Sequence, residues 1–108
     1  MERRGNLFVN RDAGRAAEAV EALLESPSVR IERIASFGQA SPPDFWYEQE
    51  EDEWVALLEG EARLEWDDGR SRKMVPGDWI FLPSRERHRV AWTAPDRPTL
   101  WLAVFSRG

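Results

Sequence analysis

Cysteine is absent from this chain of 108 residues, so disulfides, thiolate nucleophiles and cysteine-ligated zinc are all excluded. No apolar run approaches the roughly 20 residues that a membrane-spanning helix requires. No hydrophobic stretch of signal-peptide type follows Met1, so we expect a cytoplasmic protein that has no membrane partner. Fifteen basic residues against twenty acidic ones give a net charge of -5, which argues against nucleic acid as a partner.

The chain has the length of one domain, since single hydrophobic cores are typical of chains of about 100–150 residues. Hydrophobic residues make up 42% of it and charged residues 32%, the balance of an ordinary globular protein. Six tryptophans are spread along the sequence and do not cluster in one segment. Scattered large rings suit a closed or two-layered β structure whose interior is filled from every strand.

One stretch near the N-terminus has a helical period. It begins after Asp12, a suitable N-cap residue, and ends at Pro27. Its apolar residues keep to one helical face; they are Ala13, Ala16, Ala17, Val20, Leu23 and Leu24. The pattern predicts a short amphipathic α-helix over residues 12–25, within an N-terminal segment of residues 1–28.

The remainder of the chain has the pattern of short β-strands separated by turn signals. About eight such segments can be distinguished. Gly60 separates two of them that are expected to form a tight hairpin. Pro76, Gly77 and Asp78 form a strong turn signal before the next apolar run. Residues 29–108 are therefore predicted to form an all-β sandwich or barrel.

Strand alternation brings polar residues into phase with apolar ones in two of these segments. In one segment the polar residue is His88, the only histidine, and in the other it is Glu53. The residues predicted to face inward with them are Val90 and Trp92 in the first segment, and Val55 and Leu57 in the second. An imidazole and a carboxylate that face inward from different strands indicate an interior pocket lined by these side chains.

Two motifs in the sequence resemble those of the cupin superfamily, a group of small β-barrels. One family motif is glycine, five residues, proline, one residue, glycine, two residues and histidine. Residues 77–88 match it except at Arg85, where the family usually has glycine. The other motif ends in glutamate, six residues and glycine, which Glu53 and Gly60 match. Tyr47 and Gln49 occupy the positions of its two histidines.

The resemblance implies a cupin-type β-barrel, a double-stranded β-helix of jelly-roll type, with the short helix in front of it. Family members commonly form homodimers, and an interior small-molecule ligand is expected. Dioxygenase, isomerase and sugar-epimerase chemistry are all found in the family, and the sequence does not select among them.

In cupins, the two histidines, the glutamate and the later histidine bind a divalent metal. Here Glu53 and His88 are retained, and Gln49 offers an amide oxygen as a third ligand. Such an oxygen-rich set would favour manganese or iron(II) over zinc. Tyr47 is a candidate catalytic residue, since a phenol beside the site can act as a general acid.

Two alternatives to a metal-bearing pocket stay open. One is a metal-free, non-catalytic pocket that binds or senses a small molecule. The other is a structural role, in which His88 is a core residue bonded to Glu53. Arg85 and Arg87 precede the strand of His88 and are candidates to clamp an anionic ligand. The alternative for both is pairing with the acidic turn of residues 48–53, while Arg89 is expected to point outward.

Overall fold

The computed structural model describes residues 2–9 and 17–107. These residues form eight β-strands and no helix. The strands are β1 (Ala19–Glu25), β2 (Val29–Ser36), β3 (Asp52–Glu59), β4 (Ala62–Trp66), β5 (Ser71–Met74), β6 (Trp79–Leu82), β7 (His88–Thr93) and β8 (Thr99–Ser106). Nothing in the described part of the chain is a helix long and apolar enough to cross a membrane.

The strands form two antiparallel sheets. One has five strands in the order β1-β2-β8-β3-β6, and the other has three in the order β5-β4-β7. Alternate residues of both sheets meet in one core, because successive side chains of a strand point to opposite faces. Leu57 and Trp101 come from the large sheet, and Leu64 and Met74 from the small one. The all-β prediction is confirmed.

The N-terminal helix is not present in the described residues. Its second half is instead β1, which pairs antiparallel with β2 from Ala19 opposite Ala35 to Glu25 opposite Arg30. A bulge between Ala22 and Leu24 shifts the register of β1, so its apolar positions lose their period of two and imitate a helical period. Pairing with β2 then decides the local structure. Residues 12–16 of the predicted helix lie outside the described residues.

Gly60 does not form the predicted hairpin, because β3 and β4 belong to different sheets. It has a φ of 87° and forms the corner at which the chain passes from the large sheet to the small one. A Cβ atom added there would lie 2.5 Å from the carbonyl oxygen of Pro98. Both the backbone angle and the lack of space therefore require glycine at this corner.

The outward face of the large sheet carries an apolar row that crosses all five strands. Residues paired across neighbouring strands share a face. The row that follows from the strand pairing is Leu24, Ile31, Val104, Trp54 and Phe81. The Trp79 ring stacks on Trp54 with centroids 5.9 Å apart and is 62% exposed. A continuous apolar face of this kind is uncommon on a monomer and usually marks a contact surface.

Candidate functional site

A cavity of about 630 Å³ lies among strands β2, β3, β7 and β8 and the loop of residues 37–49. This volume is in the range of about 300–1,000 Å³ that is typical of small-molecule sites. The deep wall is apolar and includes Val55, Leu64, Val90 and Trp101. Polar side chains come from the beginnings of β3 and β7, from β2 and from the loop before β3.

Glu53 and His88 lie next to each other in the wall of this cavity. Glu53 is the second residue of β3 and His88 is the first of β7, so each sheet contributes one of the two groups. The Glu53 Oε1 atom lies 3.7 Å from the His88 Nε2 atom. Both residues are buried, with 9% and 5% of their surfaces exposed. The strand alternation seen in the sequence is what aims both side chains inward.

Hydrogen bonds orient both members of this pair. Gln49 donates from Nε2 to Glu53 Oε1 over 3.0 Å. His88 Nδ1 lies 3.0 Å from the carbonyl oxygen of Glu86. Because a carbonyl only accepts, Nδ1 carries the hydrogen and the Nε2 lone pair is directed toward Glu53.

Burial changes the proton affinity of both groups. It raises the pKa of Glu53 from 4.5 to about 7, although the hydrogen bond from Gln49 opposes the change. Burial also lowers the pKa of His88 below its ordinary value, against the effect of the Glu86 carbonyl. Near pH 7 the Glu53 carboxyl group is therefore partly ionised and can release or accept a proton, while the neutral His88 imidazole offers Nε2 as a proton acceptor.

Tyr47 lies at the mouth of the cavity beside this pair. Backbone hydrogen bonds join it to His88 in both directions, over 2.7 and 3.1 Å. Its ring stacks on the imidazole with centroids 5.5 Å apart, and the Phe45 ring packs edge-on against Tyr47 at 4.8 Å. Burial raises the pKa of Tyr47, so the phenol keeps its hydrogen and serves as a donor at the mouth.

Two residues predicted to line the pocket lie elsewhere. Leu57 is fully buried in the core between the sheets and does not reach the cavity. Trp92 points away from it, because the pairing of β4 with β7 shifts register between Arg63 and Leu64. That bulge leaves Ala91 without a partner and reverses the alternation, so Trp92 pairs with Arg63 on the outer side.

The candidate anion clamp is also outside the cavity. Arg85 Nη2 pairs with Glu50 over 3.0 Å, and Arg87 Nη1 with Asp67 over 3.3 Å. All four of these side chains are largely exposed, so the pairs contribute little stability. Arg85 has a φ of 66°, the left-handed conformation for which the family motif has glycine.

Arg89 is not directed into solvent as the alternation predicted. It is only 9% exposed, because the loop before β3 covers this side of β7. Its guanidinium donates to Glu65 over 2.8 Å and to the carbonyl oxygen of Ser41 over 2.9 Å. Arg89 therefore fastens the loop that forms the mouth of the cavity.

Sequence reasoning missed the polar wall contributed by β2. Arg30, Glu32 and Ser36 all line the cavity. Arg30 donates from Nε to Glu32 over 2.9 Å and from Nη1 to Glu51 over 3.0 Å. These three residues lie at even spacings from Ile34, which packs on the core, so they share its inward face. The alternation of β2 was therefore the sequence signal that could have predicted this wall.

The donor set does not fit a divalent metal. Glu53 and His88 supply one carboxylate and one imidazole, whereas protein metal sites ordinarily use at least three protein ligands. Gln49 turns its amide nitrogen, not its oxygen, toward Glu53, and Tyr47 keeps its hydrogen. Within residues 2–9 and 17–107, no three histidine, aspartate or glutamate side chains are grouped to hold an ion.

Comparison with known proteins agrees with this architecture. A family model described as "Cupin domain" matches residues 37–105. No curated protein sequence matches the chain significantly. A Ralstonia eutropha JMP134 protein, provisionally named a mannose-6-phosphate isomerase, has a similar structure with 46% sequence identity and a TM-score of 0.94. The match covers 99% of this chain and 100% of that protein.

Two more distant structures share the fold. A cupin superfamily protein from Desulfitobacterium hafniense DCB-2 is 20% identical, with a TM-score of 0.76 over 90% of this chain and 84% of that one. A protein from Thermus thermophilus is 21% identical, with a TM-score of 0.81 over 97% of both chains. At this level of identity the likeness shows the fold alone.

Proposed function

The chain belongs to the cupin domain family, and on that premise we propose that it is an isomerase that moves a proton within a small hydroxycarbonyl compound. The observation that carries this proposal is the pair of Glu53 and His88, 3.7 Å apart in the wall of a ligand-sized cavity. A buried carboxyl group whose pKa is raised to about 7, beside a buried imidazole whose pKa is lowered so that it stays neutral, is suited to acid–base catalysis.

The two groups divide the proton transfers between them. Glu53 in its ionised form takes the proton from the carbon beside the carbonyl group, while Tyr47 donates a hydrogen bond to the carbonyl oxygen as negative charge develops there. His88 Nε2 accepts the proton of the neighbouring hydroxyl group and delivers it to the former carbonyl oxygen, which becomes a hydroxyl group, so the imidazole is neutral again at the end. Glu53 then returns its proton to the former carbonyl carbon, so the carbonyl and hydroxyl groups have exchanged places without oxidation or reduction.

The similar Ralstonia eutropha protein supports a reaction of this class, since its name is that of a sugar isomerase. Dioxygenase chemistry is not proposed, because activation of oxygen needs a redox cofactor and the donor set does not fit a metal. No step of the proposed reaction is therefore assigned to a metal ion.

Proton exchange with solvent tests this function directly. The protein is incubated in deuterium oxide with a panel of aldoses and ketoses, and NMR measures deuterium at the carbon beside the carbonyl. We expect exchange by the wild type, and its loss in Glu53→Gln and His88→Gln. Glu48→Gln, which removes an exposed carboxylate beside Arg87, is the matched control and should keep the activity.

The alternative function is a non-catalytic binding module. It would be established if members of the panel raise the melting temperature of the wild type without exchanging any proton.

A further inference from the structure

We propose that the cavity selects a hydroxylated ligand that carries no negative charge, and that it rejects phosphorylated sugars. This inference rests on the proposed function for the same site, but it concerns the charge of the ligand and not the reaction. The ligand proposed for this chain therefore differs from mannose 6-phosphate, the phosphorylated sugar in the name of the similar Ralstonia eutropha protein.

Carboxyl groups form much of the polar wall of the cavity. Glu18, Glu32 and Glu53 all line it. Glu32 and Glu53 are mostly buried, with side chains 17% and 11% exposed, so water screens them poorly. A phosphate group in the cavity would be held against these carboxyl groups at short range.

Arg30 is the one lysine or arginine among the lining residues that the structure describes. Two of its nitrogens are already used, since it donates to Glu32 over 2.9 Å and to Glu51 over 3.0 Å. Its guanidinium carbon lies over the Phe105 ring, 4.2 Å from the centroid. Two carboxylates thus satisfy the charge of Arg30, and its fork is not free to hold a phosphate bidentately.

The other basic groups near the mouth do not offset the negative charge of the cavity wall. Arg85 and Arg87 lie outside the cavity in pairs with Glu50 and Asp67. The Nδ1 hydrogen of His88 is directed to the carbonyl oxygen of Glu86 and away from the ligand space. Among the described residues, the cavity therefore offers a phosphate group no available cation.

The remaining lining groups suit hydroxyl groups and C–H faces. Ser41, Tyr47 and Gln49 supply neutral donors and acceptors, and Phe45 and Trp101 supply ring faces. Neutral hydroxylated molecules can satisfy such a wall without any charged partner. A protonated amino group on the ligand would be accepted as well, because the carboxyl groups attract it.

Binding of three related probes tests the inference. D-Mannose, D-glucosamine and D-mannose 6-phosphate are titrated into the full chain by calorimetry, and melting temperatures are measured in parallel. We expect glucosamine to bind at least as tightly as mannose, and mannose 6-phosphate to bind more weakly than either by about tenfold or more. Tighter binding of the phosphorylated sugar than of mannose would overturn the inference, and so would binding of none of the three.

Glu32→Gln examines the cause of the selection. The change leaves Arg30 with one carboxylate partner fewer, so affinity for mannose 6-phosphate should rise by about tenfold relative to affinity for mannose. Glu48→Gln makes the same change in net charge outside the cavity and should leave the selection unaltered. Glu18→Gln, at the exposed rim, removes a lining carboxylate that water screens and that does not pair with Arg30, so it should raise the affinity for mannose 6-phosphate by a smaller factor. An unchanged phosphate affinity in both cavity variants would contradict the role given to these carboxylates.

The same probes distinguish failure of this inference from failure of the proposed function. Deuterium exchange and tight binding with the phosphorylated sugar alone would refute the charge selection and keep the isomerase. Binding of mannose or glucosamine without exchange would refute the isomerase and keep the charge selection.

Discussion

The free energy of unfolding should depend on pH through Glu53 more than through an exposed carboxyl group. An unfolded chain ionises Glu53 near the ordinary pKa of 4.5, whereas the folded protein holds that pKa at about 7. Between these values the unfolded chain releases a proton that the folded protein retains, so rising pH favours unfolding. At about 1.4 kcal/mol for each pH unit, Glu53 lowers the stability by about 3 kcal/mol above pH 7.

Glu53→Gln removes this effect while keeping the shape of the side chain, and its amide oxygen can still accept the hydrogen bond from Gln49. The variant and the wild type should be about equally stable near pH 4, where the carboxyl group is neutral in both states. Above about pH 8 the variant should be the more stable by about 3 kcal/mol. Urea denaturation at a series of pH values measures the difference.

Glu61→Gln is the matched control, because its expected effect has the opposite sign. The hydrogen bond from Lys73 lowers the pKa of Glu61, and the Nζ atom lies 2.7 Å from the carboxylate. The stability that this pair contributes is present above the ordinary pKa and is lost as the pH falls through the lowered one. Glu61→Gln should therefore be no more stable than the wild type at any pH. If Glu53→Gln is less stable than the wild type above pH 8, the assignment of Glu53 as a buried, readily protonated group is wrong.

Three further predictions concern the corner, the metal and the outer face. Gly60→Ala should lower the unfolding free energy by about 3 kcal/mol, whereas Gly69→Ala, at a similar φ but with open space around it, should lower it by about 1 kcal/mol. Equal losses of stability in urea denaturation would show that the space at Gly60 is not crowded. Manganese or iron(II) should leave the melting temperature of the wild type unchanged, whereas one of them should raise that of Gln49→His, which has a third ligand. A rise in the wild type would refute the conclusion that its donor set does not fit a metal. The apolar outer face should be buried against a second copy of the chain, so light scattering should show a dimer for the wild type and a monomer for Trp79→Arg and Phe81→Arg. A monomeric wild type would refute this prediction.

Sequence patterns alone were enough to predict strands β2 to β8 and the central pair of the site. Each of these depends on a short-range pattern, namely alternation with a period of two and turn residues between the segments. Glu53 and His88 were identifiable because each is polar at an inward position and falls on a family motif. The expected approach of the two side chains also follows, since both positions face the space between the sheets.

Strand register and strand pairing, in contrast, are properties of the whole fold. Residues 19–25 became a strand because β2 offers them an edge, and the bulge in β1 concealed their strand period. A second bulge, in β7 opposite β4, turned Trp92 outward. A bulge adds one residue without a partner on the neighbouring strand, and the sequence of the strand alone does not predict where this occurs. Gly60 separates two sheets for a related reason, since a turn signal does not say which strand is the next partner.

The charge of the cavity was likewise decided by contacts between distant parts of the chain. Arg30 has one partner, Glu32, two residues along its own strand, but Glu51 reaches it only because β2 and the segment before β3 come together through β8. Arg85 and Arg87 looked equally available, yet their partners Glu50 and Asp67 are 35 and 20 residues away. Local sequence patterns determine which face a side chain takes, whereas long-range pairing determines what it meets there, and that depends on the whole fold.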